Sequence, residues 1–152
     1  MSTYQIRELA VTARPVAGVR ARIGRGDVAR EFGRHLDLVY AAGKTGQVQL
    51  DGQNIFIYGA GPGDDLSVAF CVGASAAFTT AGRVEPMLTP QGVAATTAHI
   101  GDYGRLGEAH AAITSWCRAN GRHMSGVSWE VYGHWHADPS QLRTDVYYLL
   151  DS

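Results

Sequence analysis

The pentapeptide Ile55-Phe-Ile-Tyr-Gly59 returns as Trp129-Glu-Val-Tyr-Gly133, and this repetition constrains the fold more than any other feature of the chain. Other landmarks fall in the same order: Gly18-Val19 against Gly92-Val93, Ile23-Gly24 against Ile100-Gly101, Asp27 against Asp102, and Tyr58 against Tyr132. A recurring pattern of this length means that one supersecondary unit has been used twice. The copies cover about residues 15–72 and 92–150. Each reads as strand, helix, strand, strand, so the expected class is α+β, with duplicated βαββ units in a single domain of residues 1–152. Pseudo-two-fold symmetry and a cleft between the halves are further expectations.

Within the first copy, residues 15–23 alternate Val16, Gly18, Arg20 and Arg22 against Ala17, Val19, Ala21 and Ile23, as a strand does. A short opening strand over residues 4–9 precedes them. Asp27 is a suitable N-cap for a helix that places Val28, Phe32, Leu36, Val39 and Tyr40 on one side, with Phe32 and Tyr40 read as core and Gly43 as the stop. Strands come next through 55–58 and 66–72, joined by a Gly59-Ala-Gly-Pro-Gly-Asp-Asp65 turn, and residues 73–82 read as a loop. That glycine-rich turn leads into a strand and lacks a following Lys-Ser/Thr, so it does not read as a phosphate loop. In the second copy a strand over 92–100 is succeeded by a turn and cap at Gly101-Asp102. A helix then carries Tyr103, Leu106, His110, Ile113 and Cys117 at helical spacing and ends at Asn120-Gly121. Strand alternation through 126–136, an Ala137-Asp-Pro-Ser140 turn and a strand over 143–150 complete it.

Glu130 is the residue that the repetition singles out, because it stands where the other copy carries Phe56. A carboxylate in the register of an aromatic is costly to bury without a partner. By strand parity Phe56, Tyr58, Glu130, Tyr132 and His134 line an aromatic cleft with one anionic anchor, while Ile55, Ile57, Trp129 and Val131 pack on the helices. His134 and His136 share a strand face and could ligate a metal with Glu130. The absence of a further ligand at clear spacing favours a polar strand end, with no metal and no cofactor expected. His99 reads as structural, Trp116 and Trp129 as core, and Trp135 as core, rim or dimer contact. Tyr147 and Tyr148 point opposite ways; one lines the cleft, and Tyr147 is taken as the candidate.

A net charge of -1, with basic residues grouped only at Arg20, Arg22 and Arg25, offers no field for nucleic acid or an anionic membrane. Two cysteines are too few for a disulfide framework or a Cys-rich zinc site. No apolar run approaches the ~20 residues of a membrane span and no signal run opens the chain, so a cytoplasmic location is expected.

His99-Ile-Gly-Asp-Tyr103 leading to Leu106 and Trp116, Trp129-Glu-Val-Tyr132, Asp138-Pro139 and Leu142-Arg-Thr-Asp-Val-Tyr147 together resemble the GyrI-like effector-binding domain of AraC-type and multidrug-sensing MerR-type regulators. The resemblance runs over about residues 4–150 and implies an SHS2-type βαββ duplication. It also implies a pocket in which a glutamate, here Glu130, sits in an aromatic box that receives lipophilic cations. Two features depart from the pattern: no helix-turn-helix domain is attached, which removes direct DNA binding, and His110 replaces the usual second helical aromatic. The expected function is binding of hydrophobic, cationic or polycyclic small molecules by Glu130, Tyr132, Phe56, Tyr58, Tyr103, Tyr147 and His134. One alternative is a hydrolase that opens cyclopropane-containing alkylating natural products, with Glu130 as general acid or base and Tyr132 or Tyr103 as proton donor. Another is protein interaction of the gyrase-inhibitory kind, and a homodimer stays open.

Overall fold

In a computed structural model, which describes residues 4–60 and 63–151, the two sequence copies fold as two α+β units. Gly61 and Pro62 of the glycine-rich turn lie outside the described residues. One unit is Ala13–Thr89; the other takes the residues before Ala13 and those from Pro90 onward.

The Ala13–Thr89 unit contains β2 (Pro15–Gly24), α1 (Val28–Lys44), β3 (Leu50–Ala60), β4 (Asp65–Ala74) and β5 (Glu85–Leu88). Its strands lie in the order β3-β4-β2-β5, all neighbours antiparallel. The other unit contains β1 (Arg7–Val11), β6 (Gly92–Ile100), a 3₁₀ turn at Tyr103–Arg105, α2 (Leu106–Ala119), β7 (Met124–Tyr132), a second 3₁₀ turn at Pro139–Gln141 and β8 (Arg143–Leu150). Its order is β1-β6-β8-β7, again antiparallel. Each unit is therefore a βαββ motif with a fourth strand added beside its first. β5 is the added strand that alternation does not reveal: it has four residues, and Pro86 in its middle is tolerated because the strand lies at an edge. The opening strand β1 extends the sheet of the second copy, not of the first that it precedes.

The duplication is visible in the pairing itself. Val19, Phe70 and Phe56 lie side by side across β2, β4 and β3, and Thr97, Val146 and Glu130 do so across β6, β8 and β7. Val19 thus matches Thr97, so the sequence correspondence of Gly18-Val19 with Gly92-Val93 is displaced along the strand. The match at Phe56 and Glu130 holds. Both terminal hairpins slip register at the same place, between Leu50 and Asn54 and between Met124 and Ser128. Within each slip sits a glycine at positive φ, Gly52 at 84° and Gly126 at 100°. A bulge there bends each strand, and only glycine adopts that backbone without strain.

Helix α1 buries His35, Leu36, Val39 and Ala42. Asp27 begins it but pairs with Arg30 at 3.0 Å and does not cap a helical N–H with its side chain. The helix runs past Gly43, whose missing side chain makes room for Leu50: an added Cβ would lie 2.7 Å from Leu50 Cδ1. The chain breaks at Gly46 instead, with φ of 81° and its N–H donating to the Gly43 carbonyl. Helix α2 buries Leu106, Ala109, Ile113 and Cys117 against Ala95, Val146 and Leu150; each large aliphatic side chain so covered contributes about 1.5–3 kcal/mol.

The structure reverses the facing expected for the helices. Phe56 lies 5.8 Å from Phe32 of α1, and Phe70 beside it stacks on His35 of α1. Tyr132 and Tyr148 pack on the α2 cluster. The Phe56 and Glu130 faces are therefore the helix faces, while Trp129 stacks on Tyr147 on the other side of its sheet, ring centroids 5.0 Å apart. Phe32, expected in the core, is 39% exposed, and Tyr40 donates its hydroxyl to Asn54 at 2.5 Å.

Substituting Gly126→Ala should cost about 1–2 kcal/mol through backbone strain alone, since nothing stands within 4 Å of the added Cβ. Gly107→Ala, with equally open space in the first turn of α2, should instead be neutral or stabilise by up to about 1 kcal/mol. Urea denaturation of the two variants checks the contrast.

Candidate functional site

Glu130 is 5% exposed in the middle of the helix-facing surface of its sheet, and both of its carboxylate oxygens have partners. Tyr132, two residues on and so on the same face, donates its hydroxyl to Oε1 at 2.7 Å. His110 of α2 reaches down onto the strand, with Nε2 2.6 Å from Oε2. The other ring nitrogen, Nδ1, lies 2.7 Å from the Tyr148 hydroxyl of β8. An ionised carboxylate accepts only, so Nε2 carries the proton and donates to Oε2. With the imidazole neutral, Nδ1 accepts from the tyrosine; with the imidazolium, it donates to it. The result is one hydrogen-bonded chain, Tyr148–His110–Glu130–Tyr132, drawn from β8, α2 and β7.

Local rules put each member there. Glu130 and Tyr132 share a face because strand side chains alternate. Tyr148 joins them because the β7–β8 register sets Ser128 opposite Tyr148 and Glu130 opposite Val146. His110 comes four residues after Leu106 and three before Ile113, so it lies on the buried stripe of α2. Tyr103, in the 3₁₀ turn held by the Asp102 side chain accepting from the Gly104 N–H, stands edge-on to Tyr132 at 5.5 Å. Tyr103 is 37% exposed and the His110 side chain 23%, so an imidazole and a phenol beside the buried carboxylate reach solvent. Burial raises the Tyr103 phenol above its ordinary value. Burial, reinforced by the nearby Glu130 carboxylate, does the same to Tyr148.

Of the residues expected at the site, Glu130, Tyr132 and Tyr103 come together. Tyr147 does not join them: it faces away, against Trp129, and Tyr148 occupies the cluster instead. β7 stops at Tyr132; Gly133 N–H still donates to the Arg143 carbonyl in the same register, and the chain then leaves the sheet, so His134 lies exposed in a loop and strand parity no longer places it. Phe56 and Tyr58 lie on the helix face of the other unit, with Phe56 5% exposed and edge-to-face with Phe70. His110, read from the sequence as the replacement for the family's second helical aromatic, is not counted there among the binding residues; its signal is a titratable residue on an otherwise apolar helical stripe. His99 is structural, its ring held between the Tyr4 hydroxyl at 2.7 Å and the Asp102 carbonyl at 2.8 Å. Among the described residues no three His, Cys, Asp or Glu side chains gather as a metal site, and no helix is long and apolar enough to cross a membrane.

A family model described as a GyrI-like small molecule binding domain matches residues 3–150. No curated protein sequence matches the chain. Among solved structures, the EcmrR C-terminal domain is similar at 17% identity and TM-score 0.79, over 99% of both chains. The EcmrR–DNA complex gives 17% identity and TM-score 0.77 over 98% of this chain, which spans 58% of that longer one. SAV2435 bound to tetraphenylphosphonium is similar at 8% identity and TM-score 0.68, over 99% of this chain and 95% of that one. At these identities the likeness is one of fold.

Tyr148→Phe should cost about 1 kcal/mol, the loss of one hydrogen bond. Because folding raises the Tyr148 pKa above its ordinary 10.0, the contribution of the neutral phenol is present in full below that value and is lost as pH rises through the folded value. The stability gap between wild type and Tyr148→Phe should therefore be constant below about pH 10 and shrink above it, as read by denaturant unfolding across pH.

Proposed function

The chain belongs to the family of GyrI-like small-molecule binding domains, and from that premise we propose that it binds lipophilic cations or planar polycyclic molecules at the Glu130 cluster. The carrying observation is a carboxylate 5% exposed, ringed by Tyr132, Tyr103, Tyr148 and His110, with two of those rings reaching solvent. A delocalised cation is attracted both by the charge and by the negative faces of the rings, and shedding its water costs it less than it costs a compact ion. The tetraphenylphosphonium bound by SAV2435 is such a cation. In the free protein His110 sits 2.6 Å from Oε2, where a cationic ligand would bring its charge, so ligand and imidazole compete for one carboxylate.

A second reading rests on the same hydrogen-bonded chain. His110 bridges the Tyr148 phenol and the Glu130 carboxylate, which suits relay of a proton between them with a phenol as donor to a substrate in a hydrolase. The two readings separate on whether the ligand survives.

Titration calorimetry with tetraphenylphosphonium and with a neutral planar aromatic, on wild type, Glu130→Gln and His110→Phe, tests the proposal. Glu130→Gln should cost the cation about 1–3 kcal/mol and spare the neutral compound. His110→Phe should tighten cation binding by about 1 kcal/mol, by removing the competitor and adding a ring. Equal losses for both ligands in Glu130→Gln would sink the charge assignment, and mass analysis showing a converted ligand would favour the hydrolase.

A further inference from the structure

A second basin, of about 540 Å³, lies wholly within the Ala13–Thr89 unit and is lined by Arg20, Arg22, Arg34, Arg83, His35 and Leu38, with Ala21 and Ile23. We propose that it binds the phosphoryl group of a small molecule. The arginines come from three elements that meet at the bare edge of β2: Arg20 and Arg22 from β2 itself, on the sheet face away from α1, Arg34 from α1, and Arg83 from the segment before β5. A tetrahedral anion with three free oxygens takes donors from several sides at once, whereas a carboxylate is planar and satisfied by one guanidinium fork.

Existing ion pairs leave this capacity open. Arg20 and Arg22 meet Glu85 at 3.6 Å and Asp65 at 3.4 Å, both in largely exposed pairs of small worth. Arg34 bonds Glu31, and Arg83 has no acidic partner among the described residues. β5 pairs only as far as Gly18 on β2, so no strand covers the Arg20–Ile23 edge among the described residues.

Arginines on a bare sheet edge could serve merely to keep other strands away. That role does not account for His35. Its ring is 4% exposed, stacked on Phe70 with centroids 5.0 Å apart, and it lines the basin. Neither ring nitrogen has a hydrogen-bond partner among the described residues, and Glu31 is 4.0 Å from Nε2, beyond bonding distance. A buried imidazole without partners costs stability unless a ligand supplies them. Burial first, then Arg34 and Arg83, holds its pKa below the ordinary histidine value, which favours the neutral ring with one N–H.

The test is titration of the whole protein with inorganic pyrophosphate, with citrate as the carboxylate control, read by calorimetry and by the His35 imidazole resonances. One saturable site with a dissociation constant below about 1 mM is expected, with the His35 signals shifting as it fills. Arg83→Gln and Arg34→Gln, both surface changes, should each weaken pyrophosphate about tenfold, while Arg118→Gln on exposed α2 should change nothing. Absence of saturable binding, equal weakening by Arg118→Gln, or His35 signals that stay fixed would overturn the site. Citrate binding as tightly as pyrophosphate would overturn the phosphoryl assignment.

Discussion

A carboxylate cannot be set into the packed face of a sheet without bringing its own partners, and the unit that carries Glu130 is arranged around that demand. In the other unit the same lattice position holds Phe56, which needs only rings around it: Phe32 at 5.8 Å and Phe70 at 5.0 Å. With Glu130 the helix above must supply a donor, and the residue that does so is His110; the strand must supply another, and Tyr132 does. Once His110 is fixed by the carboxylate, its second nitrogen fixes Tyr148. One apolar-to-anionic difference between the two units thus converts a hydrophobic patch into a polar network of four side chains. Removing either central member, His110 or Glu130, leaves both of its neighbours without that partner, whereas removing Tyr148 or Tyr132 costs one bond.

Much of this was legible in the chain. The repeated pentapeptide placed Phe56 and Glu130 at equivalent positions, and the pairing of each with Phe70 and Val146 keeps that equivalence. The helix spans came through because both carry apolar residues at helical spacing. What failed was facing. Period-two alternation says which residues share a side of a sheet but not which side the helix takes, and when both sides of a strand are buried the pattern cannot choose: Ile55 is 0% and Phe56 5% exposed. The same limit assigned the cluster to Tyr147 in place of Tyr148. The extent of β7 was overread through His134 for a different reason, since alternation continues in sequence while the last in-register bond of the ladder is the one from Gly133 to Arg143. Gly43 reads as a stop because glycine usually ends helices; here it is a contact residue for Leu50, and Gly46 makes the break.

The two units also differ in what they do with their outer arginines and acids. The Ala13–Thr89 unit has four arginines and a buried imidazole lining one basin, whereas the other unit gathers phenols and an imidazole about a buried carboxylate. Duplication gave both the same frame of strands and one helix. The charges stand at different positions of that frame, and each unit has a histidine at the helix–sheet boundary whose surroundings decide whether it has a hydrogen-bond partner.

The attachment of β1 to β6 has a temporal meaning. Arg7 pairs with Thr96, so β1 has no partner within its own unit until β6 has been made, while every strand of the Ala13–Thr89 unit is available once Leu88 has emerged. Closing so long a loop is entropically slow, and strands waiting for distant partners expose unpaired edges meanwhile. The unit carrying the arginine basin can therefore form during synthesis, and the unit carrying Glu130 must assemble after it, with β1 unpaired until β6 arrives.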